Sequence, residues 1–386
     1  MWMDLSRRSL LMHSGAVFGA SILASRMADT SLVPPHAASS SPPLVHLSLN
    51  ESPYGPSPHV AEAIQREFNR LSRYAETQAA QLLAEQIATY EQVPVEQVVL
   101  GEALGVLGLY LGSQGGPGGE FIYSTPGYLA LIDAAARVGG VGVPVPLNAR
   151  YENDLPALSA KVNKRTRAIY LVNPHNPSGT VNDDEEFKRF LLRNSQNAIV
   201  IVDEAYLEYT VDFRSRSGVS LIRDGANVMV FRTFDKIHAL AGLPMGYLIA
   251  PRALADALRE QGAGDAESLG RLNMVAASAA LRDTGQVERT RKAVAHERAV
   301  WLSVLDDLQL RHSEPNANFI FFNARIPQPK LAAAMLSEGI DIGRPHPPYA
   351  NWARITIGLP EENQRAQDAL RRTLEQTAAA NALGRS

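Results

Sequence analysis

A lysine directly after an apolar run demands a chemical explanation. Lys236 stands in Phe231-Arg232-Thr233-Phe234-Asp235-Lys236, after Asn227 to Phe231, which reads as a buried strand ending in a polar turn. An ammonium there must be hydrated, paired or neutralised. A desolvated amine is also the group that forms an imine with an aldehyde. A surface lysine after a strand is the plainer reading, and this stretch alone leaves both open. Asp203-Glu204-Ala205-Tyr206 follows a second apolar run, Ala198 to Val202. A partly desolvated carboxylate needs a cation, which a structural salt bridge or a protonated pyridine nitrogen would supply. No second ligand cluster accompanies it to suggest a metal. Asn173-Pro174-His175-Asn176-Pro177-Ser178-Gly179-Thr180 follows a third run, Ala168 to Val172. Its two Asn-Pro pairs fix a rigid loop and aim an amide into a cleft. Gly101-Glu102-Ala103-Leu104-Gly105 joins a strand to a helix, so its backbone amides suit a phosphate, although a plain turn has the same composition. Tyr128, after the strand Glu120 to Tyr123, suits stacking on a flat ring or a place in the core.

These groups need a frame that brings strand ends together. Near-continuous Val/Ile runs alternate with helical patterns from about Leu104 to Ala250. This predicts α/β architecture, with a mostly parallel sheet buried on both faces. In such sheets ligands bind beyond the carboxyl ends of the strands, where every group above stands. From about Asn273 the pattern changes to long Ala/Arg/Glu-rich helices, Ala276 to Leu281 and Val287 to Leu308. Two strand-like pieces follow, Asn318 to Phe322 and Arg354 to Ile357, and then a helix from about Glu361 to Ala380. That predicts a smaller α+β domain.

The chain has 386 residues, enough for two domains, and a net charge of −3 that gives no general pull toward nucleic acid or anionic membranes. It has no cysteine, which removes disulfides and a thiolate nucleophile. Ser6-Arg7-Arg8-Ser9-Leu10-Leu11 places paired arginines before a weakly apolar run, which resembles a twin-arginine export signal. The run is too short to anchor as a transmembrane helix. Export to the periplasm or beyond is therefore expected, with a cytoplasmic location as the alternative. Ser31 to Pro43, rich in Ser, Pro and Ala, reads as a linker.

Taken together, Asn-Pro-x-Asn-Pro-Ser-Gly, Asp-Glu-Ala-Tyr and Thr-Phe-x-Lys-x-x-x-Leu-Ala-Gly resemble the fold-type-I pyridoxal-phosphate aminotransferases, class I/II. Within them the histidinol-phosphate aminotransferase group is most similar. Asn50 to Ser57, Arg73 to Gln78 and Trp352 to Gly358 with Glu361-Glu362-Asn363 resemble further segments of that group, so the likeness runs from about Leu47 to the C-terminus. It implies a large domain with a mostly parallel sheet flanked by helices, over 66–268, which binds pyridoxal 5′-phosphate. It also implies an N-terminal arm over 44–65 and a small domain over 269–386, behind an export signal and linker over 1–43.

The implied reaction moves an amino group between an amino acid or amine and a 2-oxo acid. Decarboxylation, elimination, cyclisation, oxidation or mere binding are the alternatives. Lys236 would hold the cofactor as an imine and move the proton at the substrate's Cα. Asp203 would keep the pyridine nitrogen protonated, and Asn176 and Tyr206 would hydrogen-bond the phenolate oxygen. Tyr128 would stack on the ring. Thr233, with Ala103 and Leu104 of the glycine turn, would serve the phosphate. Arg354 would grip the substrate carboxylate, with Asn176 and Tyr54 beside it. Tyr74 would reach the phosphate of a neighbouring subunit, which implies a homodimer with shared active sites.

The phosphate end departs from the family pattern. Asp235 stands where serine is usual, Pro244 where a phosphate-neutralising arginine is usual, and Leu104 where a small polar residue is expected. Another cation must then enter, with Arg232 and His238 nearest in sequence, or cofactor binding is weakened, or the chain is a cofactor-poor relative that has lost activity. Gly343-Arg344-Pro345-His346-Pro347-Pro348-Tyr349, before Arg354, is expected to line the substrate cleft and to favour an aromatic or heterocyclic amino acid.

Overall fold

The computed structural model describes residues 43–383. The export signal and linker expected over 1–43 lie, apart from Pro43, outside the described residues. In chain order the strands are β1 Val45–Leu47, β2 Val98–Leu100, β3 Glu120–Thr125, β4 Val141–Pro146, β5 Thr166–Val172 and β6 Ile199–Asp203. They continue with β7 Val228–Thr233, β8 Gly246–Ile249, β9 Phe319–Asn323, β10 Ile340–Ile342 and β11 Trp352–Thr356.

Strands β2 to β8 form one sheet in the order β2-β8-β7-β6-β5-β3-β4. All are parallel except β8, which runs antiparallel to both its neighbours. The continuous apolar runs have a simple cause: successive side chains alternate between faces, and both faces are covered. Val200 and Val202 of β6, Ile169 and Leu171 of β5 and Val228 and Val230 of β7 enter one core. Ile201, Tyr170 and Met229, from the same strands, enter the other. The parallel register aligns Val172 with Asp203 and Asp203 with Phe231. Three chemistry-bearing turns therefore leave the same sheet edge side by side.

Side-chain caps fix where several helices begin. Asp183 accepts from the Glu186 amide at 3.0 Å ahead of the helix Asp184–Asn194, whose first turn also carries Asp184, Glu185 and Glu186. The helix Leu104–Ser113, which starts just after the Gly101 turn, lies close against the helix Ala130–Ala136. A Cβ on Gly108 would come within 2.9 Å of the Ala134 Cβ, so only glycine allows the approach.

Beyond the sheet, β9 pairs antiparallel with β11, and β1 pairs in parallel with β10. The helices Thr284–Asp307 and Pro360–Leu383 belong to the same region. Trp301, fully buried, donates from Nε1 to Asn363 Oδ1 at 3.0 Å, joining the two helices. Helices Leu155–Lys161, Arg252–Glu260 and Gln328–Ser337, together with β10, are additional to the elements read from the sequence. They are short, and β10 is a strand only through its pairing with the distant β1.

Candidate active site

The edge where β5, β6 and β7 end opens into a cavity of about 240 Å³. Its walls include Lys236, Asp203, Tyr206, Asn176, Tyr128, Thr233 and Arg354, so seven of the residues singled out in the sequence share one space.

Asp203, at the last position of β6, is 3% exposed. One oxygen accepts from the Ala205 amide at 3.0 Å and the other from the Tyr170 hydroxyl at 3.0 Å. Burial pushes its carboxyl up to about 6, against the pull of these donors and of Lys236. A cation arriving in the cavity would favour its charged form. Lys236 lies in a tight loop in which Ala239 takes a left-handed φ of 58°. Its Nζ donates to the Leu49 carbonyl at 3.4 Å.

Tyr206 stands against Phe319 edge to face, with ring centres 5.0 Å apart. Its hydroxyl oxygen accepts from Asn50 Nδ2 at 3.0 Å, with Asn176 Nδ2 at 3.5 Å. The Asn176 loop is locked by Gly179, whose φ of +73° requires glycine and whose carbonyl accepts from the Asn316 amide at 2.6 Å. Asn176 Oδ1 in turn accepts from Arg354 Nη1 at 2.6 Å, and Arg354 Nη2 donates to the Ser48 carbonyl at 2.7 Å. Arg354 Nε is buried without a partner. An oriented guanidinium with an unspent donor suits a carboxylate.

Four of the expected site residues are not in the cavity wall. Ala103 and Leu104 turn their side chains into the core of the helix Leu104–Ser113, 3% and 4% exposed. Ala103 is that helix's N-cap and brings no side-chain acceptor to it. Tyr54 packs against the β9–β11 core, and burial with Glu297, Glu362 and Glu361 pushes its hydroxyl up to about 12. Leu49 and Asn50 line the cavity from the N-terminal arm instead. Tyr74 is 84% exposed.

Neither cation expected at the phosphate end reaches it. Arg232 is 2% exposed and donates to Glu204 Oε2 from Nη2 at 2.9 Å and from Nε at 3.1 Å, with Glu91 at 3.5 Å. His238 lies 3.8 Å from Glu208. Of the segment Gly343–Tyr349, Arg344 is the residue in the cavity wall. His346 is buried edge to face on Phe321, and Tyr349 clusters with Tyr151, Phe321 and Trp352. The expected aromatic lining is instead taken up in a separate cluster, because these rings find partners in Phe321 and Trp352.

Sequence reading did not assign roles to Glu102, Tyr170, Asn50 or Leu49. Tyr170 was within reach of it: two residues before Val172 on β5, it must share the face on which Val172 lies beside Asp203.

An organic cofactor with a cationic ring nitrogen fits one end of this space. Asp203, buried and underpaired, Lys236, and the hydroxyl and amide of Tyr206 and Asn176 form a donor set suited to it. The architecture and the site define a fold-type-I pyridoxal-phosphate transferase. Residues 42–370 match the family "Aminotransferase class I and II". Histidinol-phosphate aminotransferase 1 of Psychrobacter arcticus is 33% identical over 342 residues, 86% of this chain and 88% of that protein. An aromatic amino acid aminotransferase of Thermobifida fusca is 36% identical over 319 residues, 82% and 87% of the two chains. The crystal structure of histidinol-phosphate aminotransferase from Sinorhizobium meliloti in complex with pyridoxal 5′-phosphate superposes with a TM-score of 0.77 at 25% identity, covering 86% of this chain and 91% of that one. The chain belongs to the class I and II aminotransferases and is a pyridoxal-phosphate-dependent transaminase.

Proposed function

We propose that the chain transfers an amino group between an amino acid and a 2-oxo acid, with Lys236 as the group that holds the cofactor and moves the substrate proton. The observation that supports this is the convergence of Lys236, Asp203, Tyr206 and Arg354 on one cavity. Bound there, the cofactor supplies an electron sink for the pair left when the substrate's Cα loses a proton. Asp203 holds a proton at the ring nitrogen by pairing with it, and Tyr170 fixes the carboxylate's orientation. The Tyr206 hydroxyl and Asn176 Nδ2 would hold the cofactor's phenolate oxygen, and Tyr128, in the same cavity wall, would cover its ring. Arg354 would grip the substrate carboxylate and so aim Cα at Lys236 Nζ, which, once the substrate's amine has displaced it from the cofactor, would be free to take the proton.

We further propose a homodimer in which Tyr74, standing free at 84% exposure in the single chain, reaches the neighbouring subunit's site. The arginine pair Arg7-Arg8 supports export of the folded protein. Recovery of the full-length protein in the cytoplasmic fraction alone would remove that part.

The central test is direct. Protein incubated with pyridoxal 5′-phosphate and reduced with borohydride should carry the cofactor's mass on the peptide containing Lys236. An amino acid added before reduction should prevent that labelling and release a 2-oxo acid. Lys236→Ala should lose both signals. Attachment at another lysine would overturn the assignment.

A further inference from the structure

The phosphate end of the cavity is built around acids. Thr233 Oγ1 donates to Glu102 Oε1 at 3.3 Å and accepts from the Asp235 amide at 3.1 Å. Asp235 Oδ1 accepts from the Met245 amide at 3.4 Å, and both carboxyl groups line the cavity. Glu102 is accommodated there: a Cβ on Gly246 would lie 2.8 Å from its Oε1, so glycine at that position keeps the space.

Among the described residues, the cations in the cavity wall are Lys236, Arg344 and Arg354. The charges that act most on Glu102 are Asp235 and Asp203 against Lys236, and the charge acting on Asp235 is Lys236. Asn50 and Leu49 face the cavity from the N-terminal arm and Tyr128 from beyond β3, and none carries a charge at neutral pH. Once Lys236 is engaged covalently, two carboxylates meet a phosphate, and among the described residues neither Arg344 nor Arg354 is among the charges that act most on them.

We infer that this end of the pocket is proton-linked: Glu102 and Asp235 take up one proton from solvent when a phosphate ester binds beside Thr233, and release it when the ester leaves. Like charges that close cannot all remain ionised, and the least costly remedy is a shared proton. Burial and Asp235 already push Glu102 up to about 7, so a proton is within reach at neutral pH. The inference rests on the cofactor reading above. Its consequence is selective: the phosphate form of the cofactor loses affinity as pH rises, whereas the unphosphorylated aldehyde, with a neutral hydroxymethyl group in its place, does not.

The test compares pyridoxal 5′-phosphate with pyridoxal on the full cofactor-free protein between pH 7.5 and 9, reading dissociation constants from absorbance. Both aldehydes share the ring and the bond to Lys236, so titration at Lys236 and Asp203 cancels in the ratio. The phosphate's own second proton, with a pKa of about 6, lies below this window. The preference for phosphate should fall by up to about tenfold per pH unit, the slope for one proton. Glu102→Gln and Asp235→Asn, each close in shape to the original, should raise that preference at pH 9 and flatten its slope. A preference independent of pH in the parent protein, or an unchanged slope in both variants, overturns the inference. Failure of either aldehyde to attach overturns the cofactor reading itself.

Discussion

Tyr170→Phe isolates one hydrogen bond beneath the proposed site. Tyr170 is fully buried in β5, and its ring belongs to the core that covers one face of the sheet. Phenylalanine fills the same volume, so the substitution removes the hydroxyl and little else. That hydroxyl donates to Asp203 Oδ2 at 3.0 Å, and the Ala205 amide remains as the other donor. A hydrogen bond to a charged group is worth about 2.5 kcal/mol and one to a neutral carboxyl about 1. The difference, about 1.5 kcal/mol, should raise the Asp203 pKa by roughly one unit.

The sign follows from linkage. Asp203 is held at about 6 in the folded protein, above the roughly 3.9 of an unfolded chain. The native state thus binds more protons between these values, and this group's contribution to stability falls as pH rises through that window. The variant should extend the fall to about pH 7. Urea unfolding of cofactor-free protein should show a loss of about 1 kcal/mol at pH 5 and about 2.5 kcal/mol at pH 8.5. A purely structural role for Tyr170 would give equal losses. Equality, or a greater loss at pH 5, refutes the argument.

Three further outcomes follow from the same geometry. Arg354→Lys keeps a cation but cannot span Asn176 Oδ1 and the Ser48 carbonyl together. KM for amino acids should rise about 100-fold while amines without a carboxylate are unaffected, checked by steady-state kinetics on both. Arg232→Met leaves Glu204 and Glu91 buried without their cation and should cost about 3–5 kcal/mol in urea unfolding, largely restored when Glu204→Gln is added. Gly179→Ala forces a β-carbon to within 2.8 Å of the Pro315 Cβ at a left-handed φ, and should lower the melting temperature and weaken amino-acid binding through the Asn176 loop.

Much of the fold was legible because its signals are local and repeated. The runs at β5, β6 and β7 are too apolar for a half-exposed strand, and helices between them leave few alternatives to a parallel sheet. Helix Asp184–Asn194 fell within that alternating pattern. Helix Gln328–Ser337 and strand β10 did not. Residues 328–342 carry no long period, and β10 pairs with β1 across almost the whole chain, a fact no local pattern encodes.

The site divides along the same line. Lys236, Asp203 and Asn176 stand at the ends of parallel strands, so topology alone brings them together. Glu102 is different. In the sequence it is one carboxylate in a glycine turn, free to face solvent, and its direction is decided by Thr233, Gly246 and Asp235 from three other segments. The missing arginine at Pro244 and the serine replaced by Asp235 made the phosphate end look like a site that had lost an anchor. With Glu102 turned into the same space, it is also a site that holds two acids beside Thr233. Loss of a cation alone would weaken phosphate at every pH, whereas added acids weaken it only where they are ionised. The pH dependence of phosphate preference therefore separates the two histories.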